Sequence, residues 1–68
     1  MNLSVNGDSK RFDDIVTLAD LLRALGFEPE RPGIAIALND RVVSRRDLVS
    51  TPLSEGDRVE IIQAVQGG

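Results

Sequence analysis

Three stretches of the chain predict β-strands, and in the first two of them apolar residues alternate with polar or small residues, which is the pattern of a strand with one buried face. The three stretches are residues 2–6, residues 34–38 and residues 58–65. In the last of them we expect Val59 and Ile61 to face the core, so that the residues alternating with them face outward.

Three turn signals connect these strands to their neighbours. The Asn-Gly pair at residues 6–7 is the strongest short hairpin signal and predicts a return strand at residues 10–12. The Asn-Asp pair at residues 39–40 predicts a second hairpin, whose return strand is residues 41–43. The glycine-containing stretch 54–57 predicts a turn immediately before the last strand.

One segment has helical periodicity. Thr17 is the expected N-cap, because its hydroxyl can accept a hydrogen bond from the first helical turn, and Gly26 is the expected stop. Four leucines between them are spaced i, i+3, i+4 and i+7 and form one apolar stripe. The stripe residues are Leu18, Leu21, Leu22 and Leu25. In so short a chain we expect this stripe to cover a sheet and form the core.

The order of the elements is a hairpin, a helix, two strands, a long loop with a helical turn near residues 45–47, and a final strand. A helix across one face of a mixed sheet is an α+β arrangement, and this order fits the ubiquitin-like β-grasp fold with about five strands. In that fold the last strand lies centrally, beside the first. We expect one domain over residues 1–65, followed by a flexible tail over residues 66–68.

The composition removes most catalytic chemistry from this chain. Its 68 residues include no cysteine and no histidine, so they offer no thiolate, imidazole base, zinc site or disulfide. The net charge of −3 disfavours nucleic acid and anionic membranes as partners. No apolar run approaches the roughly 20 residues of a membrane span. We expect a cytoplasmic protein that is not an enzyme and binds no metal or cofactor itself.

The carboxylates are scattered along the chain, whereas three arginines form a basic cluster. The carboxylates at residues 13–14 and at Asp57 fall in predicted loops and are interpreted as solvated, since no second ligand type accompanies them. The basic cluster consists of Arg41, Arg45 and Arg46. It is short and has no interleaved aromatic residue, which disfavours nucleic acid. Two interpretations remain, docking to an acidic patch on a partner or plain surface solubility.

The sequence ends in Gln66, Gly67 and Gly68, directly after the last predicted strand. Two terminal glycines gain nothing from packing and are poor strand formers. One interpretation is a frayed chain end, since termini are often disordered. The other is a tail that enters a narrow active site on another protein. Because the rest of the chain offers no reactive centre, we expect the Gly68 carboxylate to carry the chemistry.

A docking face is expected on the strand that leads into this tail. Ile62 and Ala64 should point away from the helix, beside Ala35 and Ala37 of another strand. Such an exposed apolar patch is typical of partner sites, whereas single apolar residues scattered over a surface are normal. Docking is the preferred interpretation, because the patch lies on the strand that aims the tail.

Four segments together carry a family likeness, and its most specific part is a Glu-Gly-Asp turn one strand ahead of an Ala-Val-x-Gly-Gly end. The segments are residues 36–39, 42–45, 55–61 and 63–68. The chain closely resembles the ThiS family, the sulfur carriers of thiamine thiazole biosynthesis, over essentially its whole length. Many relatives carry proline where Ser44 stands and tryptophan near Leu48, so we expect this loop to dock its partner differently.

The resemblance implies a mechanism that uses the tail. An E1-like adenylyltransferase of the ThiF type would use ATP to convert the Gly68 carboxylate into an acyl-adenylate. A persulfide charged by a cysteine desulfurase would replace AMP and leave a thiocarboxylate, from which a thiazole synthase of the ThiG type would take the sulfur. The residues expected to contact these partners are Ile62, Ala64, Val65 and Arg45.

Three other functions remain open. One is a sulfur carrier of another pathway, such as the small subunit of molybdopterin synthase, which shares the fold and tail but is usually longer. A second is a ubiquitin-like modifier whose Gly68 forms an isopeptide bond with a lysine. A third is a binding module with an incidental tail. The lead-in at residues 63–65 and the short length favour the thiamine family.

Overall fold

The computed structural model describes residues 1–63 as a five-stranded sheet with one α-helix across one side. In chain order the elements are β1 (Asn2–Val5), β2 (Asp8–Arg11), α1 (Leu18–Ala24), β3 (Ile34–Leu38), β4 (Arg41–Val43), a 3-10 helix (Arg45–Ser50) and β5 (Arg58–Gln63). The strands lie in the order β2-β1-β5-β3-β4. The predicted α+β class and β-grasp arrangement are confirmed. The predicted boundary between domain and tail, after residue 65, lies outside the described residues.

β5 is the central strand of the sheet, as the sequence predicted. It pairs in parallel with β1, with Ser4 opposite Arg58 and Val5 opposite Val59. On its other edge it pairs antiparallel with β3, along residues 34–38. The strand that precedes the tail residues is therefore held by a neighbour on each edge.

Both hairpins are closed by two-residue turns with positive φ at both turn positions. Asn6 and Gly7 have φ values of 51° and 87°, and Asn39 and Asp40 have values of 50° and 70°. Turns of this kind match the right-handed twist of the flanking strands. Asparagine and aspartate tolerate the left-handed region because their short polar side chains can form local hydrogen bonds.

β2 begins earlier than the return strand predicted at residues 10–12. The tight turn pairs Val5 directly with Asp8, so no residue is left over for a longer loop. Phe12 follows the strand and packs, half-buried, against the core.

The helix begins and ends where the sequence predicted. Thr17 Oγ1 accepts a hydrogen bond from the Asp20 amide at 3.3 Å, and Asp20 Oδ2 accepts one from the Thr17 amide at 3.0 Å. These reciprocal bonds form a capping box, and backbone hydrogen bonds from Thr17 and Val16 lower the pKa of Asp20. α1 ends at Ala24, and Gly26 follows with a φ of 91°, which glycine adopts without strain.

The hydrophobic core lies between the sheet and α1. Its buried residues are Leu3, Val5, Leu18, Ala19, Leu21, Leu22, Ile36, Leu48, Leu53, Val59 and Ile61. The leucine stripe of the helix is therefore core, and Leu25 completes it as a half-buried residue. Leu48 and Leu53 come from the stretch 44–53, whose residues the sequence did not place in the core.

The turn before β5 is held by side-chain hydrogen bonds. Gly56 has a φ of 84°, within the turn predicted at residues 54–57. Asp57 Oδ2 accepts a hydrogen bond from the Ser54 amide at 2.7 Å, and Asp57 Oδ1 accepts one from Asn39 Nδ2 at 3.1 Å. Asp57 is half-buried and lies at the surface, as expected for a solvated carboxylate, and it also holds the turn through these contacts. The carboxylates at residues 13–14 are exposed, as predicted.

Glu55 ties this turn to the first strand. The Asn2 amide nitrogen lies 3.0 Å from each carboxylate oxygen of Glu55 and donates a hydrogen bond to them. This bond favours the ionised carboxylate and so lowers the pKa of Glu55 from its ordinary value of 4.5. The contact therefore stabilises the folded protein most when Glu55 is charged.

Replacing Glu55 by glutamine is expected to remove part of the acid-side pH dependence of stability. A carboxyl whose pKa is lowered by folding stabilises the protein above its ordinary pKa of 4.5, and the contribution is lost as the pH falls through the lower folded-state value. The free energy of unfolding of Glu55→Gln should lie furthest below wild type near neutral pH and approach wild type below pH 4.5. Urea unfolding across this range measures the difference. Glu28→Gln, in a loop, is the control. If its free energy of unfolding varied with pH in the same way as that of Glu55→Gln, the role of Glu55 would be contradicted.

The adjacent residues Ile61 and Ile62 should respond differently to one substitution. Ile61 is 8% exposed, whereas Ile62 is 59% exposed. Ile61→Thr should lower the free energy of unfolding by about 2 kcal/mol, because it loses buried apolar area and buries a hydroxyl. Ile62→Thr keeps a β-branched residue at the surface and should change it by less than about 0.5 kcal/mol. Chemical denaturation measures both values, and equal losses would contradict the orientation of β5.

Candidate functional site

β5 presents different residues on its two sides. Val59 and Ile61 lie in the core, whereas Glu60 and Ile62 are exposed. This alternation confirms the predicted orientation of the strand. Glu60 and Ile62 therefore lie on the side of the sheet opposite α1, which we call the outer face.

An apolar patch surrounds Ile62 on the outer face. The pairing of β3 with β5 places Ala35 opposite Ile62, and the pairing of β3 with β4 places Ala37 opposite Val42. Ile62 is 59% exposed and Val42 is 81% exposed. We call these four residues the outer apolar patch. The predicted neighbourhood of Ile62, Ala35 and Ala37 is confirmed.

Val42 is the member of the patch that was not predicted from the sequence. A signal for it was present, because a two-residue turn at residues 39–40 fixes the register of the hairpin. That register places Val42 opposite Ala37. Since paired residues point to the same face of a sheet, the outward direction of Ala37 fixes that of Val42.

Charged side chains border the outer apolar patch. Glu60 lies on the outer face opposite Ala37, and Arg58 Nη2 pairs with Asp40 Oδ2 at 2.9 Å. An apolar centre with a charged rim is the arrangement found at protein–protein interfaces. This ion pair is exposed and therefore contributes little to stability.

The tail and its lead-in lie outside the described residues. They are Ala64, Val65, Gln66, Gly67 and Gly68. The expected place of Ala64 in the patch, and the roles of the other four, therefore stay predictions. The described residues provide the base of the tail, since β5 reaches Gln63 while paired with Ile34 of β3.

Arg45 does not lie on the outer face. Its 3-10 helix packs against α1, on the other side of the sheet. Arg45 Nη1 donates a hydrogen bond to the Glu30 carbonyl at 2.8 Å, which fastens the loop after α1 to the 3-10 helix. The structure does not bring Arg45 and Ile62 onto one surface, so contact of Arg45 with a partner stays a prediction for a separate surface.

The two positions that depart from the family pattern have structural roles. Leu48 is 3% exposed in the core. Ser44 Oγ donates a hydrogen bond to Asp47 Oδ2 at 2.8 Å, at the start of the 3-10 helix. Because Leu48 is covered, it does not contact a partner directly, and a different docking mode in this loop would rest on its exposed residues.

Residues 1–63 contain no group of three or more acidic, histidine or cysteine side chains that could hold a metal ion. None of the helices described is long and apolar enough to cross a membrane. Among the described residues, the outer apolar patch is one surface that has the composition of a binding site.

The sequence and the fold are similar to those of known ThiS proteins. A sulfur carrier protein ThiS from Thermus thermophilus is 31% identical over 64 residues, which cover 94% of this chain and 95% of that protein. The crystal structure of a thiamine biosynthesis protein (ThiS) from Geobacter metallireducens matches with a TM-score of 0.82 and 31% identity, and the match covers 100% of both chains. A thiazole synthase from Magnetococcus marinus is 35% identical over 68 residues.

The chain spans only 20% of the length of the thiazole synthases that it matches. Those proteins therefore contain a segment similar to this chain and a larger part that the match does not cover. The ThiS family model matches residues 3–68, which include α1, β5 and the two terminal glycines. Together with the agreement in fold over the whole chain, this match shows that the chain belongs to the ThiS family.

Proposed function

We propose that this protein is a sulfur carrier of thiamine biosynthesis and that it carries sulfur as a thiocarboxylate on Gly68. The strongest support is the match to the ThiS family over residues 3–68, because it extends through the diglycine end. The relative from Thermus thermophilus, named as a sulfur carrier protein, matches 94% of the chain. In this function the carrier is a co-substrate of its partner enzymes and not itself an enzyme.

The proposed reaction begins by activating the Gly68 carboxylate, which resists nucleophiles because it is negatively charged. On an E1-like adenylyltransferase, a carboxylate oxygen attacks the α-phosphorus of ATP and pyrophosphate leaves. The terminal sulfur of a persulfide, supplied through a cysteine desulfurase, then attacks the acyl carbon and AMP leaves. A second thiol cleaves the acyl disulfide, so that a new disulfide forms and the thiocarboxylate is released.

Two terminal glycines suit a tail that enters an active site. Without a Cβ, Gly67 and Gly68 fit a narrow channel and leave the acyl carbon open to attack. Residues 66–68 reach at most roughly 10 Å when extended. The body of the carrier therefore has to dock closely against its partner for Gly68 to reach the site.

The outer apolar patch is the surface proposed to dock. It lies on β5, the strand that leads into the tail, and on the neighbouring strands β3 and β4. Contact at this patch brings the base of the tail toward the partner. Ile62 and Val42 are its most exposed side chains, so they have the most apolar area to lose on binding.

Thiazole synthase is the proposed acceptor of the sulfur. Proteins of that name from Magnetococcus marinus and Paramagnetospirillum magneticum contain segments that are 35% and 28% identical to this chain. A carrier-like segment within a thiazole synthase supports a direct functional relation between the two. The reaction uses ATP and a cysteine desulfurase, so the proposed location is the cytoplasm.

Intact-protein mass spectrometry tests the proposed function. Protein taken directly from cells should include a species in which one oxygen is replaced by sulfur, and fragmentation should place the change on Gly68. Gly68→Val should lack this species, because its side chain crowds the acyl carbon, while circular dichroism shows an unchanged fold. Absence of the sulfur-bearing species in wild type, or its normal abundance in Gly68→Val, would contradict the proposal.

Ile62→Asp should weaken binding to the adenylyltransferase by about tenfold or more, because a carboxylate at the centre of the patch loses water without gaining a partner. Val16→Asp is the control, since Val16 is 65% exposed but lies between β2 and α1. Calorimetric titration compares the two variants after circular dichroism has verified their fold. If Ile62→Asp and Val16→Asp bound the adenylyltransferase with equal affinity, the docking role of the patch would be contradicted.

A further inference from the structure

The parallel pairing of β1 with β5 stops before β5 does. The Ser4 amide donates to the Asp57 carbonyl at 3.0 Å, and the Asn6 amide donates to the Val59 carbonyl at 2.9 Å. After Asn6 the chain turns back into β2. β1 therefore has no backbone group left for Ile61, the next residue of β5 on that edge.

The side chain of Asn6 supplies both partners that the backbone of Ile61 needs. The Ile61 amide donates to Asn6 Oδ1 at 2.7 Å, and Asn6 Nδ2 donates to the Ile61 carbonyl at 3.3 Å. A carboxamide offers a donor and an acceptor like those of a peptide group. The side chain of Asn6 therefore extends the hydrogen-bond pattern between β1 and β5 by one residue. Asparagine also tolerates the φ of 51° that the turn requires.

Asn39 makes a corresponding contact at the opposite end of β5. It is the first residue of the other two-residue turn, with a φ of 50°. Its Oδ1 accepts a hydrogen bond from the Arg58 amide at 2.9 Å, and its Nδ2 donates to Asp57 Oδ1 at 3.1 Å. Asn39 thus holds the start of β5, whereas Asn6 holds the part that leads into the tail.

We propose that Asn6 is a positioning residue for the tail, because its carboxamide keeps Ile61 in the sheet and so fixes the direction in which the chain leaves β5 toward Gly68. This inference rests on the proposed function of Gly68. A tail with a fixed base loses less conformational freedom when it enters the partner's active site, which favours the reaction of its end. Asn6 acts through Ile61 and not on the reacting atoms.

Amide hydrogen exchange tests the restraint itself. Asn6→Gly keeps positive φ accessible but removes the carboxamide, so exchange of the Ile61 amide should become about tenfold faster while the Arg58 amide stays near wild type. In Asn39→Gly the exchange of the Arg58 amide should become faster, while that of the Ile61 amide stays near wild type. Equally slow exchange of the Ile61 amide in wild type and Asn6→Gly overturns the inference, whatever the function of the carrier.

The effect of Asn6 on the reaction of the tail is tested by steady-state adenylation with the adenylyltransferase of the same organism. The rate is measured as the release of pyrophosphate. Asn6→Gly should lower kcat by about tenfold with little change in KM, because the docking face is intact. Asn39→Gly also loses two side-chain hydrogen bonds, which lie at the start of β5. It should keep kcat and KM within about twofold of wild type. Equal effects of the two variants on kcat indicate a merely structural role and overturn the inference.

Asn6→Asp gives the test a second variant should Asn6→Gly not fold. Aspartate keeps an acceptor for the Ile61 amide and tolerates positive φ, but when ionised it has no donor for the Ile61 carbonyl. The folded variant should therefore show a lower kcat, and an unchanged kcat overturns the inference. Failure of wild type to be adenylated at all contradicts the proposed function instead, while the exchange experiment still decides the role of Asn6.

Discussion

The pairing of β1 with β5 is the interaction on which the rest of the structure depends. It joins the first strand to the last, with Val5 opposite Val59, and so places β5 in the middle of the sheet. Parallel neighbours need a long crossover between them, and here α1 and the second hairpin provide it. The crossover lays α1 across one side of the sheet, where the leucine stripe closes the core. Most of the remaining features follow from this arrangement.

Because α1 covers only one side of the sheet, the other side is exposed to solvent. The outer apolar patch lies on this exposed side. Ile61 closes the core while Ile62 joins the outer apolar patch, so two adjacent isoleucines have separate roles. Ala35 lies opposite Ile62 and Ala37 opposite Glu60, and their small side chains leave Ile62 open to solvent. The central strand therefore contributes both to stability and to the surface proposed for recognition, and it also leads into the tail.

The features predicted from the sequence were those with local signals. Thr17 and Gly26 bound the helix, and the two turn pairs set the hairpins, because each signal acts within a few residues. The role of Asn6 could not be predicted in this way, since its partner belongs to another element; Asn6 and Ile61 are 55 residues apart in sequence. The contact of Asp57 with Asn39 is likewise non-local. Leu48 likewise needs α1 to become core. The composition indicated the Gly68 carboxylate as the reactive group, whereas the sulfur chemistry was implied only by the family resemblance, because no local rule assigns a reaction to a terminal glycine.

In the proposed function the same tail serves every step, so it cannot by itself distinguish one partner from another. Discrimination must then come from the body of the carrier. The structure offers two surfaces for it on opposite sides of the sheet, the apolar outer face around Ile62 and the basic side of the 3-10 helix around Arg45. Because the tail is short, each partner has to bring its active site close to the end of β5. The outer apolar patch includes a residue of that strand, which makes it the better candidate for the contact that all partners share.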